Sequence, residues 1–393
     1  KKGDFQKAVR LYEKSISIYP NNAEAYSNLG VIYKDSGEIE QAYKYLKKAV
    51  EINPLLPSAQ INLGAIQMDL GKFNKAEVSL KKSIELNPNN ADAYANLSTL
   101  MLIKQHIEDA KKYSSNAIKI NPLLELAHIN FSKCLVIEKK LDEAEKSIRN
   151  AIQINNNNWE SFNILGLILK DKRQYREAEV YIKESIKINK NSASSHYKLS
   201  SIFFEQNKFQ EAEDSLLKAI DINPKFGEAH FNLGAILKDK DKLEEALFHT
   251  KKAISFMPNF GMAYSNCGLI LQNLGELNEA EKYCRKAIEL QPKWAMGYVN
   301  LGIILLNQGK YNEARNITLQ GIDIQPNIFE GHFNLSSILL KLGELDKSKS
   351  EMETAIKINP NNSTAYLNLG ISLKAMGDKE NALNKFKIAL KID

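Results

Sequence analysis

The sequence predicts an all-α chain, a solenoid of stacked antiparallel helix pairs. Three observations predict it. Asparagine recurs every 34 residues, at Asn28, Asn62, Asn96 and Asn130 and again at Asn232, Asn266, Asn300, Asn334 and Asn368, without insertion or deletion. Small residues recur on the same period, Gly or Ser at Gly30, Ser98, Gly234 and Gly370, and Ala from Ala42 to Ala382 with Ser348 the exception. Within each period the apolar residues fall at helical spacing in two runs. A period of this size marks a stack of supersecondary units, none of which can bury its apolar face alone.

The elements follow in order. Residues 1–22 supply the second half of a truncated unit, and residues 23–393 form eleven repeats in one continuous domain, the last one truncated. With Ala23 as position 1, apolar residues at positions 4, 7, 8, 10 and 11 form the face of a first helix. Those at positions 17, 20, 21, 24 and 27 form the face of a second. Gly37, Gly71, Gly275, Gly309, Gly343 and Gly377 separate the runs, where a residue of positive φ ends a helix. Prolines such as Pro54, Pro88 and Pro360 end the second helix, because the residue before proline leaves the α region. Small residues at positions 8 and 20 let the two helices approach closely.

Composition excludes several functions. The net charge of +6 is spread along the chain, without the dense basic stripe of a nucleic-acid binder. Cys134, Cys267 and Cys284 fall at core positions and are expected as buried thiols in a reducing, cytoplasmic compartment. No apolar stretch reaches membrane-spanning length. His128, His196, His230 and His332 share position 4 but lie in different layers, too far apart to share a metal. No catalytic constellation and no cofactor motif is present. The lysine pairs Lys47-Lys48, Lys81-Lys82 and Lys111-Lys112 are expected as a solvated outer face. Lys1 begins partway through a repeat, which suggests a piece of a longer polypeptide with uncapped ends through which it dimerises.

Aromatic at position 4, Leu at 7, Gly/Ser at 8, Gly at 15, Ala at 20, Ala/Ser at 27 and Pro at 32 resembles the tetratricopeptide repeat over essentially all of the chain. The segments Asn21–Gly30 and Tyr33–Gly37 resemble the repeats of the O-linked N-acetylglucosamine transferases. That resemblance implies a right-handed superhelix whose asparagine ladder holds an extended polypeptide by its backbone. The matching positions are the nine asparagines above. The resemblance also implies acidic side chains at position 2, matched by Glu24, Asp92, Glu160, Glu228 and Glu330. No catalytic module of that family lies in this chain.

Positions 2, 6, 9 and 13 succeed one another by four, three and four residues and make one stripe on the first helix. Position 6 lies off the strongly apolar positions, so the asparagines are expected on the concave wall of the stack. Asparagine offers a donor and an acceptor, which suits both polar groups of a peptide unit. Hydrogen bonds of about 0.5–1.5 kcal/mol each do not offset the ordering of the peptide, about 1–2 kcal/mol per residue. Binding by rungs alone is thus expected to be broad and weak, about micromolar. The competing structural role is that the asparagines bond one another or the adjacent repeat. Ile164 and Lys198 interrupt the ladder, either by ordinary drift or because a distinct apolar pocket or a bend stands there.

The expected function is a non-catalytic module that binds polypeptide segments or other proteins, recruiting substrates for an attached, glycosyltransferase-like enzyme domain. The alternative is a scaffold for multiprotein assembly. RNA binding is disfavoured, because a uniform asparagine rung offers no varying side chains to read bases.

Overall fold

The computed structural model describes the backbone of residues 2–392 and the side chains of residues 6–392. Among the described residues there are 23 helices and no strand, arranged in two compact units, residues 1–206 and 207–393. The first unit opens with α1 (Lys2–Ile18). Five helix pairs follow: α2 (Ala23–Asp35) with α3 (Ile39–Ile52), α4 (Pro57–Asp69) with α5 (Phe73–Leu86), α6 (Ala91–Ile103) with α7 (Ile107–Ile120), α8 (Glu125–Ile137) with α9 (Leu141–Ile154), and α10 (Trp159–Asp171) with α11 (Tyr175–Ile188). It ends with α12 (Ala193–Glu205). The second unit opens with α13 (Phe209–Ile222). Its pairs are α14 (Gly227–Asp239) with α15 (Leu243–Phe256), α16 (Gly261–Asn273) with α17 (Leu277–Leu290), α18 (Ala295–Asn307) with α19 (Tyr311–Ile324), α20 (Phe329–Lys341) with α21 (Leu345–Ile358), and α22 (Ser363–Ala375) with α23 (Lys379–Ile392). The all-α solenoid of antiparallel helix pairs expected from the sequence is the fold observed within each unit.

Local chemistry explains these elements. Each pair turns on a left-handed residue at position 15, which glycine adopts without strain. The glycines do so, Gly37 at φ 83° and Gly309 at φ 76°, but so do Gln105, Lys139, Arg173, Asn207 and Asp241 at φ 57–62°. The turn is therefore set by the pairing, and glycine only eases it. Close approach explains position 8. A Cβ on Gly64 would lie 2.7 Å from Leu80 Cγ, and at Ser98, Ser132 and Ser336 the position 8 hydroxyl bonds the facing helix, Ser98 Oγ donating to the Ala110 carbonyl at 2.7 Å. The core of each pair holds the position 7 leucines and position 20 alanines, with Leu29, Leu97, Leu165, Ala42, Ala110 and Ala178 fully buried.

A second asparagine series ends the outer helices. Asn53, Asn87, Asn121, Asn155, Asn189, Asn223 and Asn359 each accept, through Oδ1, the backbone N–H two residues on, at 3.0–3.3 Å. This side-chain turn competes with the helix and stops it. Position 4 is tied to the same junction. His128, His230 and His332 place Nε2 2.9–3.1 Å from the carbonyls of Pro122, Pro224 and Pro326, and the Tyr264 and Tyr298 hydroxyls donate to those of Pro258 and Pro292 at 3.1 Å. A side chain with a polar tip serves there, Gln60 donating to the Pro54 carbonyl in the same way at 3.0 Å, because a proline carbonyl at a helix end has no helical partner.

Neighbouring first helices pack directly on one another, α2 on α4 and α16 on α18 for example. Among the described residues no comparable packing joins neighbouring second helices. Each unit therefore curves with its first helices inside. Charge instead ties second helices to the ends of first helices in the next repeat. Lys104, Lys172 and Lys240 reach back to Glu77, Glu145 and Glu213 of the preceding repeat, 2.5–2.7 Å apart. One pair is reversed, with Lys111 donating to Glu138 at 2.7 Å. The expectation of a merely solvated lysine face is corrected here. Lys111 links two repeats and Lys81 bonds Glu77 at 2.7 Å, while Lys47, Lys48 and Lys82 pair with exposed glutamates on their own helices. The sequence hides this because the partner lies 27 residues away, on another layer.

The three cysteines are unpaired and buried, as their core positions imply. Burial pushes the thiols up, Cys134 to about 11 and Cys267 and Cys284 to about 12.

Candidate functional site

The concave face of each unit is the candidate site, since it gathers the stripe of positions 2, 6, 9 and 13. At position 7 a buried leucine anchors the first helix, which turns position 6 toward the open side. In the first unit Asn28 is exposed and Asn62 and Asn96 are half-buried, whereas Asn130 retains 1% of its surface. In the second unit Asn232, Asn300, Asn334 and Asn368 are half-buried and Asn266 retains 9%. The sequence places nine equivalent rungs, and the structure separates them.

Four rungs are tied to the protein. The Asn130 amide donates to the Ala95 carbonyl at 3.1 Å and to Thr99 Oγ1 at 2.8 Å, so both its hydrogens are engaged. Asn62 donates to Ser27 Oγ at 3.3 Å and Asn300 to Ser265 Oγ at 2.9 Å. Asn266 donates to Thr250 Oγ1 at 3.4 Å. The structural role weighed against peptide binding is therefore real for these four. Asn28, Asn96, Asn334 and Asn368 make no side-chain hydrogen bond to other described residues.

The residue 35 places back sorts six of these rungs, while Asn266, which has Phe231 there, is tied by Thr250 instead. Ser27, Ala95 and Ser265 stand before the tied rungs Asn62, Asn130 and Asn300, and either a hydroxyl or a bare backbone carbonyl is within reach. Ile61, Val299 and Phe333 stand before Asn96, Asn334 and Asn368, with larger apolar side chains that carry no acceptor. Position 5 is thus the signal that the sequence reading missed.

The position 2 acids lie on the same face. Glu24, Asp92, Glu228 and Glu330 are exposed and make no ion pair among the described residues. Glu160 differs, its carboxylate 2.7 Å from Lys133 Nζ. Neutralisation there leaves the other four as the open negative charge of position 2. Asn163, one residue before Ile164, turns inward to donate to Ser195 Oγ at 2.9 Å and does not replace the missing rung. No group of three or more His, Cys, Asp or Glu side chains that could hold a metal exists among the described residues, and no described helix is long and apolar enough to cross a membrane.

Comparison with known proteins now fixes the family. Sequence profiles described as "Tetratricopeptide repeat" match residues 1–63, 57–90, 79–112, 160–192, 262–293, 283–316, 329–362 and 351–384, and one described as "TPR repeat" matches 201–241. The chain belongs to the tetratricopeptide-repeat family. No curated protein sequence matches it. Among solved structures it is similar to "Crystal structure of APC/C hetero-tetramer Cut9-Hcn1", with 14% identity and a TM-score of 0.57 over 100% of this chain and 91% of that one. A second, "Functional Characterization of Pseudomonas Aeruginosa pilF", has 19% identity and a TM-score of 0.46, over 51% of this chain and 92% of that one. At such identities the likeness to the first is one of fold. In this tetratricopeptide-repeat chain the position 8 small residue and position 20 alanine are packing devices, and the position 2 acids and the rungs other than Asn130 and Asn266 are left to face solvent.

Proposed function

We propose that the concave face of each unit binds an extended polypeptide, and that the unbonded rungs Asn28, Asn96, Asn334 and Asn368 contact its backbone. One observation carries this reading: these amides lie on the inner helices with donor and acceptor both unused by the protein. An amide with both functions available matches a peptide group, which also presents one donor and one acceptor. Asn62, Asn266 and Asn300 set the stacking of repeats through one N–H each and keep the other N–H and Oδ1 for a ligand, whereas the buried Asn130 has both N–H groups engaged. The exposed acids Glu24, Asp92, Glu228 and Glu330 favour segments that carry basic side chains near those rungs. Delivery of the bound segment to an enzyme domain of glycosyltransferase type is the finer form of this reading. It rests on the resemblance of Asn21–Gly30 and Tyr33–Gly37 to those repeats.

Assembly of a multiprotein complex is the second reading, favoured by the fold similarity to a subunit of a hetero-tetramer. The test is a binding titration with labelled peptide pools against the chain and its Asn96→Ala/Asn334→Ala/Asn368→Ala variant. The variant should lose about tenfold or more in affinity, the sum of at least one net hydrogen bond of about 0.5–1.5 kcal/mol per rung, while its Tm stays put. Unchanged affinity would remove the ladder from the binding mechanism.

A further inference from the structure

The interruption of the ladder places a cation where the other rungs are neutral. Ile164 and Lys198 occupy position 6 of the fifth and sixth repeats, on α10 and α12 of the first unit. Lys198 is half-buried, and its ammonium donates to Ser194 Oγ, one turn earlier, at 2.5 Å. It makes no ion pair among the described residues. The nearest basic and acidic groups on the stripe are Lys133 and Glu160, and they already satisfy each other at 2.7 Å. Burial pulls the Lys198 ammonium below the ordinary lysine range, with the Glu160 carboxylate opposing and Lys133 adding to the shift.

A half-buried ammonium held by one hydroxyl is an incomplete site. Ammonium carries three donors, and Ser194 takes one. Its remaining donors want an anion, and a carboxylate arriving with a ligand would both fill them and offset the desolvation already incurred. The surroundings sharpen this. Elsewhere on the stripe of the first unit Glu24, Asp35, Asp92, Asp171 and Glu205 are exposed, and the other cation, Lys133, is paired with Glu160. Among the described residues of that stripe, Lys198 is thus the basic mark that no carboxylate offsets. First helices are spaced about 8–10 Å and an extended chain advances about 3.3 Å per residue. Three layers from Asp92 to Lys198 then correspond to about seven to nine residues of ligand.

We propose that Lys198 is an anion subsite of the first unit that selects an acidic side chain in the bound polypeptide, placed about eight residues from a basic side chain held near Asp92. The subsite rests on the polypeptide reading above and gives it a specificity that backbone rungs lack.

The experiment uses the whole 393-residue chain and fluorescein-labelled degenerate dodecapeptide pools with Glu, Gln or Lys fixed at the centre. C-terminal amides make the fixed residue the only carboxylate that differs. Anisotropy titrations are run on the wild type, on Lys198→Asn, which restores the ladder residue, and on Lys198→Met, which keeps the aliphatic stem. The wild type should bind the Glu pool about tenfold tighter than the Gln pool, the ratio that one charge-assisted hydrogen bond supplies. Both variants should bind the two pools alike, with the Gln pool within about twofold of wild type. Equal binding of the Glu and Gln pools by the wild type overturns the subsite and leaves the polypeptide reading intact. Equal loss of both pools in Lys198→Met, with Tm preserved, also overturns it, because it assigns Lys198 to packing of the groove. If no pool binds the wild type, the polypeptide reading falls and the subsite falls with it.

Discussion

The side-chain amide of Asn130 donates to the backbone carbonyl of Ala95, 35 residues earlier, at 3.1 Å. This bond joins two repeats through a residue that the sequence pattern alone would assign to ligand binding. It separates two jobs that one residue type performs at one register.

Asn130→Ala should therefore lower stability rather than affinity. Two buried hydrogen bonds are lost and Thr99 Oγ1 keeps only its bond to the Ala95 carbonyl at 3.1 Å. The expected cost is about 1–3 kcal/mol, read as a shift in urea midpoint. Peptide affinity should stay within about twofold of wild type. A variant that binds poorly at full stability would assign Asn130 to the ligand instead.

The reversed pair Lys111–Glu138 offers a charge-swap test. Lys111→Glu alone faces Glu138 with a like charge, and Lys140, 2.8 Å from that carboxylate, relieves it only in part. The single variant should lose about 1 kcal/mol, and Lys111→Glu/Glu138→Lys should recover most of it. A double-mutant cycle by chemical denaturation at low salt measures the coupling. A coupling energy near zero would make the bridge ornamental.

The position 15 turns predict a gain in stability. Arg173 sits at φ 62°, a conformation that costs a side-chain-bearing residue about 1 kcal/mol and glycine nothing. Arg173→Gly should raise stability by a few tenths to about 1 kcal/mol. The opposite change, Gly309→Ala at φ 76°, should cost about 1 kcal/mol, though nothing lies within 4 Å of the added methyl. Thermal unfolding of the two variants checks both signs.

His230 and His249 predict an acid-side loss. Their Nδ1 atoms are 2.9 Å apart and their rings stack at 5.1 Å, with Phe256 and Phe248 beside them and Lys252 and Glu245 as the nearby charges. Because His230 Nε2 must donate to the Pro224 carbonyl, its Nδ1 accepts from His249. Burial is the first cause that depresses both imidazoles, and each charge would repel the other. A histidine whose folded pKa is depressed is neutral in the fold and binds protons more readily when unfolded. Stability is thus complete above the unfolded value of about 6.5 and falls as the pH drops below it. Tm should fall between pH 7.5 and 5.5, and His249→Phe should flatten that slope. A profile of the same slope in both would discharge the pair from this role.

Much of the fold was legible in the sequence because helix pairing is a local problem. The 34-residue period, the small residues at Gly30 and Ala42 and the turn at Gly37 each act within one repeat. The site was legible only as a face. Two asparagine series run through the chain, and Asn53 and its equivalents act on a backbone N–H two residues away, while the ladder acts across layers.

The sequence by itself determined that first helices carry a polar stripe off their buried leucines, since amphipathic spacing needs no knowledge of neighbours. Only the tertiary structure decided which rungs stay open. Ser265 ties Asn300, and Val299 leaves Asn334 unbonded, because stacking brings position 5 of one repeat against position 6 of the next. It also left Lys198 without a carboxylate partner among the described residues, with Glu160 taken by Lys133. A hydrogen bond needs two groups within about 3 Å, and for groups a full repeat apart that distance exists only once the layers have packed.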